Sequence, residues 1–162
     1  MLKIELAYND LNLVRELFRE YQTTLGLDLC FQSFEEELAA LPGKYAPPGG
    51  RLYLASAGGG LAGCIALRGL DSGCCEMKRL YVREKYRGYG VGRALAEKII
   101  ADAGEIGYSR MVLDTYAGLM KAAVALYRGL GFTETGPYYD NPNEGVLYLE
   151  LKLRSLPAAA GE

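Results

Sequence analysis

A strand, a glycine-rich turn and a helix follow one another between Cys75 and Ile100, and this order constrains the fold more than any other part of the chain. Apolar, aromatic and β-branched residues at Met77 and from Leu80 to Val82 favour a half-buried strand. After the turn, which runs from Arg87 to Arg93, apolar residues recur every four positions with no helix breaker before Gly104, and this predicts a helix. The first N–H groups of a helix lack partners within it and carry partial positive charge, so a glycine-rich turn there can bind phosphate. The stretch therefore predicts a pyrophosphate site.

The glycine spacing of this turn distinguishes between phosphate-binding motifs. A P-loop ends in Gly-Lys-Ser or Gly-Lys-Thr, whereas this turn ends in Gly-Arg-Ala. The dinucleotide fingerprint G-x-G-x-x-G begins well at Gly88 but has Arg93 where its last glycine belongs. The pattern that fits is R-x-x-G-x-G, at Arg87, Gly90 and Gly92. A turn that serves only for chain reversal is the alternative interpretation.

Length and charge exclude several classes of protein. The chain has 162 residues, half of them hydrophobic, which suits one domain with a single core. Its formal net charge of −2 gives no basic excess for contacts with a phosphate backbone, so a nucleic-acid binder is not expected. No apolar run approaches the roughly 18 residues of a membrane span, and the N-terminus lacks the apolar core of an export signal. We therefore expect a cytoplasmic protein that does not associate with membranes.

Histidine is absent from the sequence, and this narrows the chemistry. Ser-His and Cys-His catalysis and His-ligated metal sites are excluded, and no metal is expected. The cysteines lack the C-x-x-C spacing, and in a reducing cytoplasm we expect free, mostly buried thiols. General acid–base catalysis would then depend on Glu, Asp, Tyr, Lys or bound water. The four cysteines are Cys30, Cys64, Cys74 and Cys75.

The remaining patterns predict one domain over residues 1–154 and a flexible tail over residues 155–162. A first helix follows a cap at Asn9 or Asp10 and ends at Gly26, and Ser33 to Glu36 is a capping-box pattern that predicts a second helix. Residues 27–31 are ambiguous. Further strands are predicted at residues 3–7, 51–57, 61–70, 111–114, 133–137 and 146–153, and a helix at residues 119–130 with Ala123, Leu126 and Leu130 facing inward.

A second motif lies downstream of the glycine turn. The segment from Ala123 to Phe132 reads A-x-x-L-Y-x-x-x-G-F. Together with R-x-x-G-x-G after the strand sequence EMKRLYV, it resembles the two signatures of the GNAT superfamily of N-acetyltransferases. The predicted order β-α-α-β-β-β-α-β-α-β-β is also that of this superfamily, and the resemblance covers nearly the whole chain. Family members often carry Asn seven residues before the motif's tyrosine, where this chain has Met120.

The resemblance implies an α+β (α/β) GNAT fold. Its central sheet is mixed, mostly antiparallel and flanked by helices, and two central parallel strands splay apart. It also implies acetyl-CoA (coenzyme A) as co-substrate, with the pyrophosphate held by backbone amides of the glycine turn and the pantetheine arm paired with the preceding strand. The cofactor-binding residues implied in this way are Leu80, Tyr81, Val82, Arg87, Gly88, Tyr89, Gly90, Val91, Gly92, Arg93, Met120, Ala123 and Tyr127.

The reaction implied is transfer of the acetyl group to a primary amine by direct attack in a ternary complex, which makes the protein an acyltransferase. Glu76 lies early in the central strand, where many family members place a catalytic base, and Tyr127 matches the tyrosine near the departing sulfur. By strand periodicity, Glu76 should share a face with Lys78, Leu80 and Val82. A structural ion pair between Glu76 and Lys78 is the alternative, because a nearby cation would weaken the base.

The acceptor amine is left open by the sequence. The resemblance places the acceptor pocket around the first two helices, where Tyr21, Phe31 and Tyr45 are candidates to shape it. Core or surface packing is the alternative for each of them. Small amines, amino acids, antibiotics, peptides and proteins all stay open as acceptors, and a homodimer is one expectation for the assembly. The competing functional class is an acyl-CoA-binding sensor without turnover, for which Met120 and the pairing of Glu76 with Lys78 are the support.

Overall fold

The protein folds around a mixed β-sheet with helices on both faces. The computed structural model describes residues 1–26 and 33–153. The strands are β1 (Leu2–Leu6), β2 (Arg51–Ala57), β3 (Gly60–Gly69), β4 (Cys74–Val82), β5 (Arg110–Tyr116), β6 (Thr133–Glu134) and β7 (Val146–Lys152). The helices are α1 (Leu11–Leu25), α2 (Phe34–Ala40), α3 (Val91–Ile106) and α4 (Lys121–Gly129), with short 3₁₀ turns at Gly43–Tyr45 and Glu84–Tyr86.

In the described part of the chain, seven strands form one sheet in the order β1-β2-β3-β4-β5-β7-β6. Every neighbouring pair is antiparallel except β4 and β5. That parallel pairing joins Cys74–Glu76 to Arg110–Val112 and then stops, although both strands continue. The two central strands therefore part, and the predicted α+β fold with splayed parallel strands is confirmed.

Each face of the sheet has its own hydrophobic core. On one face, α3 packs Leu95, Ala96 and Ile99 against the sheet with no exposed surface. On the other face, α1 buries Val14 and Phe18 completely, in a core shared with α2. The apolar stripe of α1 has the helical spacing that its sequence predicts, and burial of that stripe holds the helix on the sheet.

A β-bulge at Arg79 interrupts β4. Cys64 of β3 pairs with Tyr81 and Ala66 pairs with Lys78, so one residue of β3 lies opposite two residues of β4. Arg79 has a positive φ of 60°, which few residues other than glycine adopt. An extra residue in one strand reverses the alternation of side chains beyond it.

The bulge corrects the predicted faces of β4. Met77 packs in the core beneath α3, and beyond the bulge Leu80 and Val82 pack against the same core. Glu76 and Lys78 point to the opposite face, where they line a cavity near α2. The prediction that Glu76 shares a face with Leu80 and Val82 is therefore wrong, because strand periodicity assumes an unbroken ladder.

Several predicted helix features also differ from the structure. Ser33 has a φ of 55° and makes no capping hydrogen bond to the described residues, so the predicted capping box does not form. Helix α3 continues through Gly104 and ends at Gly107, whose left-handed conformation closes it. In α4, Tyr127 is the buried side chain, whereas Ala123 and Leu126 are only partly buried.

Some predictions lie outside the described residues. These are the ambiguous segment at residues 27–31, with Cys30 and Phe31, and the tail at residues 155–162. Within residues 1–26 and 33–153, no helix is long and apolar enough to cross a membrane, and no cluster of three potential metal ligands occurs. The domain boundary at residue 154 and the cytoplasmic location stay predictions.

Candidate functional site

The glycine turn between β4 and α3 leaves an open space at the start of the helix. Gly88 and Gly90 have φ values of 86° and 82°, and Gly90 is the N-cap residue that precedes α3. A Cβ added at either glycine would meet no described heavy atom within 4 Å. No described side chain caps the helix at Gly90. The amides of the first helical turn therefore face a space that an anion can enter.

Two arginines flank this turn. Arg87 donates from Nε to the carbonyl oxygen of Val82 at 2.8 Å, and its guanidinium lies 5.8 Å from the centre of the Tyr81 ring. Arg93 is half exposed and forms an ion pair with Glu97, with 3.3 Å between Nε and Oε2. Arg87 thus ties the turn to the end of β4, and both charges stand beside the open helix start.

The turn lies next to the helix that carries Tyr127. A Cβ added at Gly92 would contact Val82 at 3.6 Å and Leu126 of α4 at 3.7 Å. Glycine at this position lets the start of α3 approach the end of β4 and the side of α4. The second sequence motif, which includes Leu126 and Tyr127, is therefore adjacent in space to the first.

A cleft opens where β4 and β5 part. Leu80 of β4, Asp114 of β5, and Met120 and Tyr127 from the α4 region line it, and so does Tyr21 of α1. The structure thus brings together three of the predicted cofactor-binding residues, namely Leu80, Met120 and Tyr127.

Other predicted cofactor-binding residues lie away from the wall of this cleft. Tyr81 points to the α1 face, where its hydroxyl donates to Glu20 at 3.2 Å. Val82 and Ala123 pack against the core beneath α3. Tyr89 is 81% exposed at the tip of the turn. The side chains of Tyr81, Val82 and Ala123 pack in the cores, so these residues could contact a cofactor in the cleft only through backbone groups. Tyr89 could contact a cofactor only at the glycine turn.

Tyr127 is a buried phenol at the wall of the cleft. It is 6% exposed and packs edge-on against Phe132 with 5.8 Å between ring centres. Burial raises the pKa of Tyr127, and the nearby Tyr21 and Asp114 raise it further. The hydroxyl therefore stays protonated at neutral pH and can donate a hydrogen bond. Met120, where the family often has Asn, accepts a hydrogen bond through its sulfur from Thr115 at 3.6 Å.

Glu76 is held in a buried ion pair. It is 1% exposed, and Arg68 Nε lies 2.7 Å from its Oε1. Its other oxygen accepts a hydrogen bond from the Tyr138 hydroxyl. Arg68 and Glu76 are direct cross-strand partners in the β3–β4 hairpin, on either side of the turn at residues 70–73. Counting outward from the short gap between the strand predicted at residues 61–70 and the central strand pairs Arg68 with Glu76, so the sequence contains a signal for Arg68.

A second cavity, of about 290 Å³, lies beside the cleft and shares Lys78 with it. It is bounded by α2, the Gly43–Tyr45 turn and the hairpin of β3 and β4. Tyr45 lines this cavity and Tyr21 lines the cleft, so two of the three aromatic candidates for the acceptor pocket border a cavity, and the third, Phe31, lies outside the described residues. Tyr45 is also 3% exposed and packs edge-on against Phe18, which is core packing.

Arg79, at the bulge, is buried and anchors α2 to β4. Its side chain is 2% exposed and donates from Nε and Nη2 to Glu37 at 3.0 Å and 2.8 Å. Its guanidinium also lies 5.2 Å from the centre of the Phe34 ring. Burial by itself would raise the pKa of Glu37, but the hydrogen bonds and charge of Arg79 lower it below its usual value. Glu37 is therefore a paired carboxylate at the cavity wall.

The loop between β6 and β7 contacts β5 through aromatic side chains. The Tyr139 hydroxyl donates to Asp114, and Asn141 Nδ2 donates to that same hydroxyl at 2.9 Å. Tyr138 and Tyr139 pack with 5.3 Å between ring centres. Asp114 is thus oriented in the cleft by a residue 25 positions away. Sequence reasoning treated Asp114 only as a strand end, because nothing local indicates this contact.

The cysteines of the described chain are not poised for reaction. Cys64, Cys74 and Cys75 are free, and Cys64 and Cys75 are buried. Burial raises the pKa of Cys75 to about 12, so its thiol is protonated at neutral pH. Only the thiolate is a strong nucleophile, so an acyl-cysteine intermediate is not expected at Cys75.

The chain is similar to known proteins in sequence and in fold. The model of the acetyltransferase (GNAT) family matches residues 11–132. An uncharacterised N-acetyltransferase of Schizosaccharomyces pombe is 44% identical over 146 residues, which cover 89% of each chain. A GNAT-family acetyltransferase structure from Staphylococcus aureus aligns with a TM-score of 0.78 and 22% identity over 95% of this chain and 100% of that one. The Salmonella typhimurium protein YncA, solved with its cofactor acetyl-CoA, aligns with a TM-score of 0.72 and 20% identity over 97% and 96% of the two chains.

These matches define the class of protein as an acyltransferase. The chain belongs to the acetyltransferase (GNAT) family, as the two sequence motifs predicted.

Proposed function

We propose that this protein transfers an acetyl group from acetyl-CoA to a primary amine by direct attack within a ternary complex. The observation that carries the proposal is the cleft between the parted strands β4 and β5. Tyr127 lines this cleft, and the glycine turn lies against the helix that carries Tyr127. The fold neighbours include a protein solved with acetyl-CoA and another solved with coenzyme A.

The glycine turn is the proposed site for the pyrophosphate. The residues from Arg87 to Arg93 offer backbone N–H groups at a helix start with partial positive charge, and two guanidinium groups stand beside them. Gly88 and Gly90 leave space at the turn that any larger residue would fill. Backbone amides and arginines together can bind the phosphates without a metal.

The inner edge of β4 is the proposed site for the pantetheine arm. Beyond Glu76 the described part of β4 no longer pairs with β5, so its backbone edge from Leu80 to Val82 has no β5 partner, and Leu80 lines the cleft. An extended amide-containing chain can pair with such an edge. Holding the thioester in line with the amine converts a bimolecular encounter into a positioned reaction, which can contribute several kcal/mol.

Tyr127 is the proposed partner of the departing sulfur. Its pKa is raised by burial, so a thiolate whose own pKa is about 8.5 would not take its proton completely. We therefore propose that the hydroxyl stabilises the developing thiolate by a hydrogen bond, and that the proton of the thiol comes from solvent. Stabilisation of charge that appears only in the transition state raises turnover more than binding.

Two carboxylates are candidates for the proton acceptor of the amine. Glu76 is the base proposed from the family resemblance, and it lines the larger cavity, but its oxygens are engaged by Arg68 and Tyr138. Asp114 is partly exposed and lines the same cleft as Tyr127. Both oxygens of Glu76 already accept a hydrogen bond, so an amine proton could reach them only by displacing Arg68 or Tyr138. The geometry therefore favours Asp114 beside Tyr127.

Thiol release from acetyl-CoA in the presence of amines tests the proposed function. We expect free thiol to appear only when an amine acceptor is present, together with an acetylated amine detected by mass spectrometry. The competing function, an acyl-CoA sensor, predicts binding of acetyl-CoA by calorimetry without acceptor-dependent release. Release that is independent of any amine would also contradict the proposal.

A further inference from the structure

Two glycines near the start of β3 let the end of β4 and the segment after it approach closely. A Cβ added at Gly63 would collide with the backbone carbonyl oxygen of Tyr81 and lie 3.3 Å from Cα of Val82. A Cβ added at Gly60 would collide with the hydroxyl of Tyr86 and lie 3.4 Å from its Cζ. Neither glycine has a left-handed φ, so neither is required by its backbone conformation. Glycine at these positions therefore serves the close approach of neighbouring groups.

Tyr86 ends the 3₁₀ turn at Glu84–Tyr86, and the next residue, Arg87, begins the glycine turn. The side chain of Tyr86 is partly buried and packs against the core beneath α3. Its hydroxyl fills the space beside Gly60 that a side chain would otherwise occupy. Displacing this hydroxyl would therefore move a packed ring that belongs to the segment leading into the glycine turn.

The 3₁₀ turn is joined to β3 at both of its ends. At its start, the backbone N–H of Arg83 donates to the carbonyl oxygen of Ala62 at 2.8 Å. At its end, the side chain of Tyr86 contacts Gly60. The N–H of Tyr86 also donates back to the carbonyl oxygen of Arg83 at 2.8 Å, which closes the turn. The position of Arg87, where the proposed pyrophosphate site begins, is thus set relative to the start of β3.

We propose that Gly60 is a positioning residue for the binding of coenzyme A and acts through Tyr86. By leaving room for the Tyr86 ring, Gly60 fixes the 3₁₀ turn and with it the backbone N–H groups from Arg87 to Arg93. This inference rests on the proposed pyrophosphate site and adds the β2–β3 hairpin, which neither sequence motif includes. Amides that are fixed before the ligand binds lose less conformational entropy on binding, so a displaced turn binds more weakly.

Calorimetric titration of the full chain with coenzyme A tests this role in the variant Gly60→Ala. The added methyl group displaces the Tyr86 ring from its packed position, so the turn must be ordered again when the ligand binds. We expect the affinity for coenzyme A to fall by about three- to tenfold, the cost of ordering one side chain and its turn. An affinity equal to that of the wild-type chain would overturn the inference.

Gly69→Ala is the matched control, because Gly69 lies on the same strand and also faces a tyrosine hydroxyl. A Cβ added there would lie 2.5 Å from Oη of Tyr108 and 3.4 Å from its Cζ. Tyr108 follows the C-terminal end of α3, far from the glycine turn, and its hydroxyl donates to the carbonyl oxygen of Gly49 at 2.7 Å. Thermal unfolding should show a loss of stability in both variants, whereas only Gly60→Ala should lose affinity for coenzyme A. An equal loss of affinity in both would indicate general destabilisation and contradict the inference.

A compensating substitution shows whether the loss arises at this contact. Tyr86→Phe removes the hydroxyl that the new methyl group would meet and keeps the ring, whose Cζ lies at a van der Waals distance of 3.4 Å from the added carbon. The double variant Gly60→Ala/Tyr86→Phe should therefore recover most of the affinity that Gly60→Ala loses. A double variant that binds no better than Gly60→Ala would refute the role of this contact. Absence of coenzyme A binding by the wild-type chain would instead contradict the proposed function, so the two failures are distinguishable.

Discussion

Replacement of Gly90 by glutamate should weaken the binding of acetyl-CoA through its effect on the phosphates. Gly90 has a φ of 82°, and a side chain there would extend into the open space at the start of α3. Any residue with a Cβ is strained at this φ by about 1–2 kcal/mol, whatever its charge. The variant Gly90→Ala therefore measures the backbone cost alone.

The charge of the new carboxylate adds a larger effect. At about 5 Å from one phosphate charge, repulsion costs about 0.8 kcal/mol in bulk water and about 3 kcal/mol at an effective dielectric constant of 20. Two phosphate charges roughly double these values, so the affinity for acetyl-CoA should fall by at least about tenfold beyond the loss in Gly90→Ala. The carboxylate would also fill part of the open space at the start of α3, where the phosphates are proposed to bind.

Calorimetric titration with acetyl-CoA measures this effect, and thermal unfolding measures the backbone strain. Gly107→Glu is the matched control, because Gly107 has a φ of 112°, meets no described atom at an added Cβ within 4 Å, and lies at the opposite end of α3. Both glutamate variants should lose similar stability, and only Gly90→Glu should lose affinity. If the two variants bound acetyl-CoA equally well, the glycine turn would not be the phosphate site.

Three further predictions follow from the site. Tyr127→Phe should lower turnover by about ten- to a hundredfold with little change in acetyl-CoA affinity, and unchanged turnover in steady-state kinetics would exclude its role at the sulfur. Asp114→Asn should reduce kcat/KM at neutral pH more than Glu76→Gln does; the reverse order would assign the base to Glu76. Burial alone would raise the pKa of Glu37, but Arg79 lowers it below its usual value. The pair therefore stabilises the fold at pH values above the usual carboxyl pKa of about 4.3. This stabilisation is lost as the pH falls through the lowered pKa of Glu37. Glu37→Gln should therefore flatten the acid limb of the stability curve and cost about 3 kcal/mol at neutral pH by leaving Arg79 buried without its partner, and an unchanged acid limb in urea titrations would contradict this.

The local elements of the fold were predictable from the sequence. The strand β2 occupies the residues predicted for it, and the hairpin to β3 turns at its glycines. The glycine turn and the start of α3 also lie where the spacing of Gly88, Gly90 and the apolar residues placed them. Each of these features depends on neighbours within a few positions, so the sequence pattern contains the information needed. The two motifs identified the family for the same reason.

The chemistry of the site depended on contacts between distant residues. The bulge at Arg79 arises from how β4 meets β3, and it reversed the face assigned to Leu80 and Val82. Asp114 is oriented by Tyr139, and Arg79 is neutralised by Glu37 from 42 positions away. No periodicity within a single element encodes such pairs, because their energy comes from desolvation and charge at points where separate elements meet.

The sequence by itself thus determined the order of elements, the glycine turn before α3 and the family. Only the tertiary structure decided which charges surround the cavities, since a side chain's face and partners are set by the packing of β4 against its neighbours. From the sequence, Glu76 could be either a catalytic base or the ion-pair partner of Lys78, whereas the fold places it in a buried ion pair with Arg68. The role of Glu76 differs because the fold brings Arg68 within hydrogen-bond distance of it at a buried position, and a neighbouring charge and burial both change the chemistry of a carboxylate.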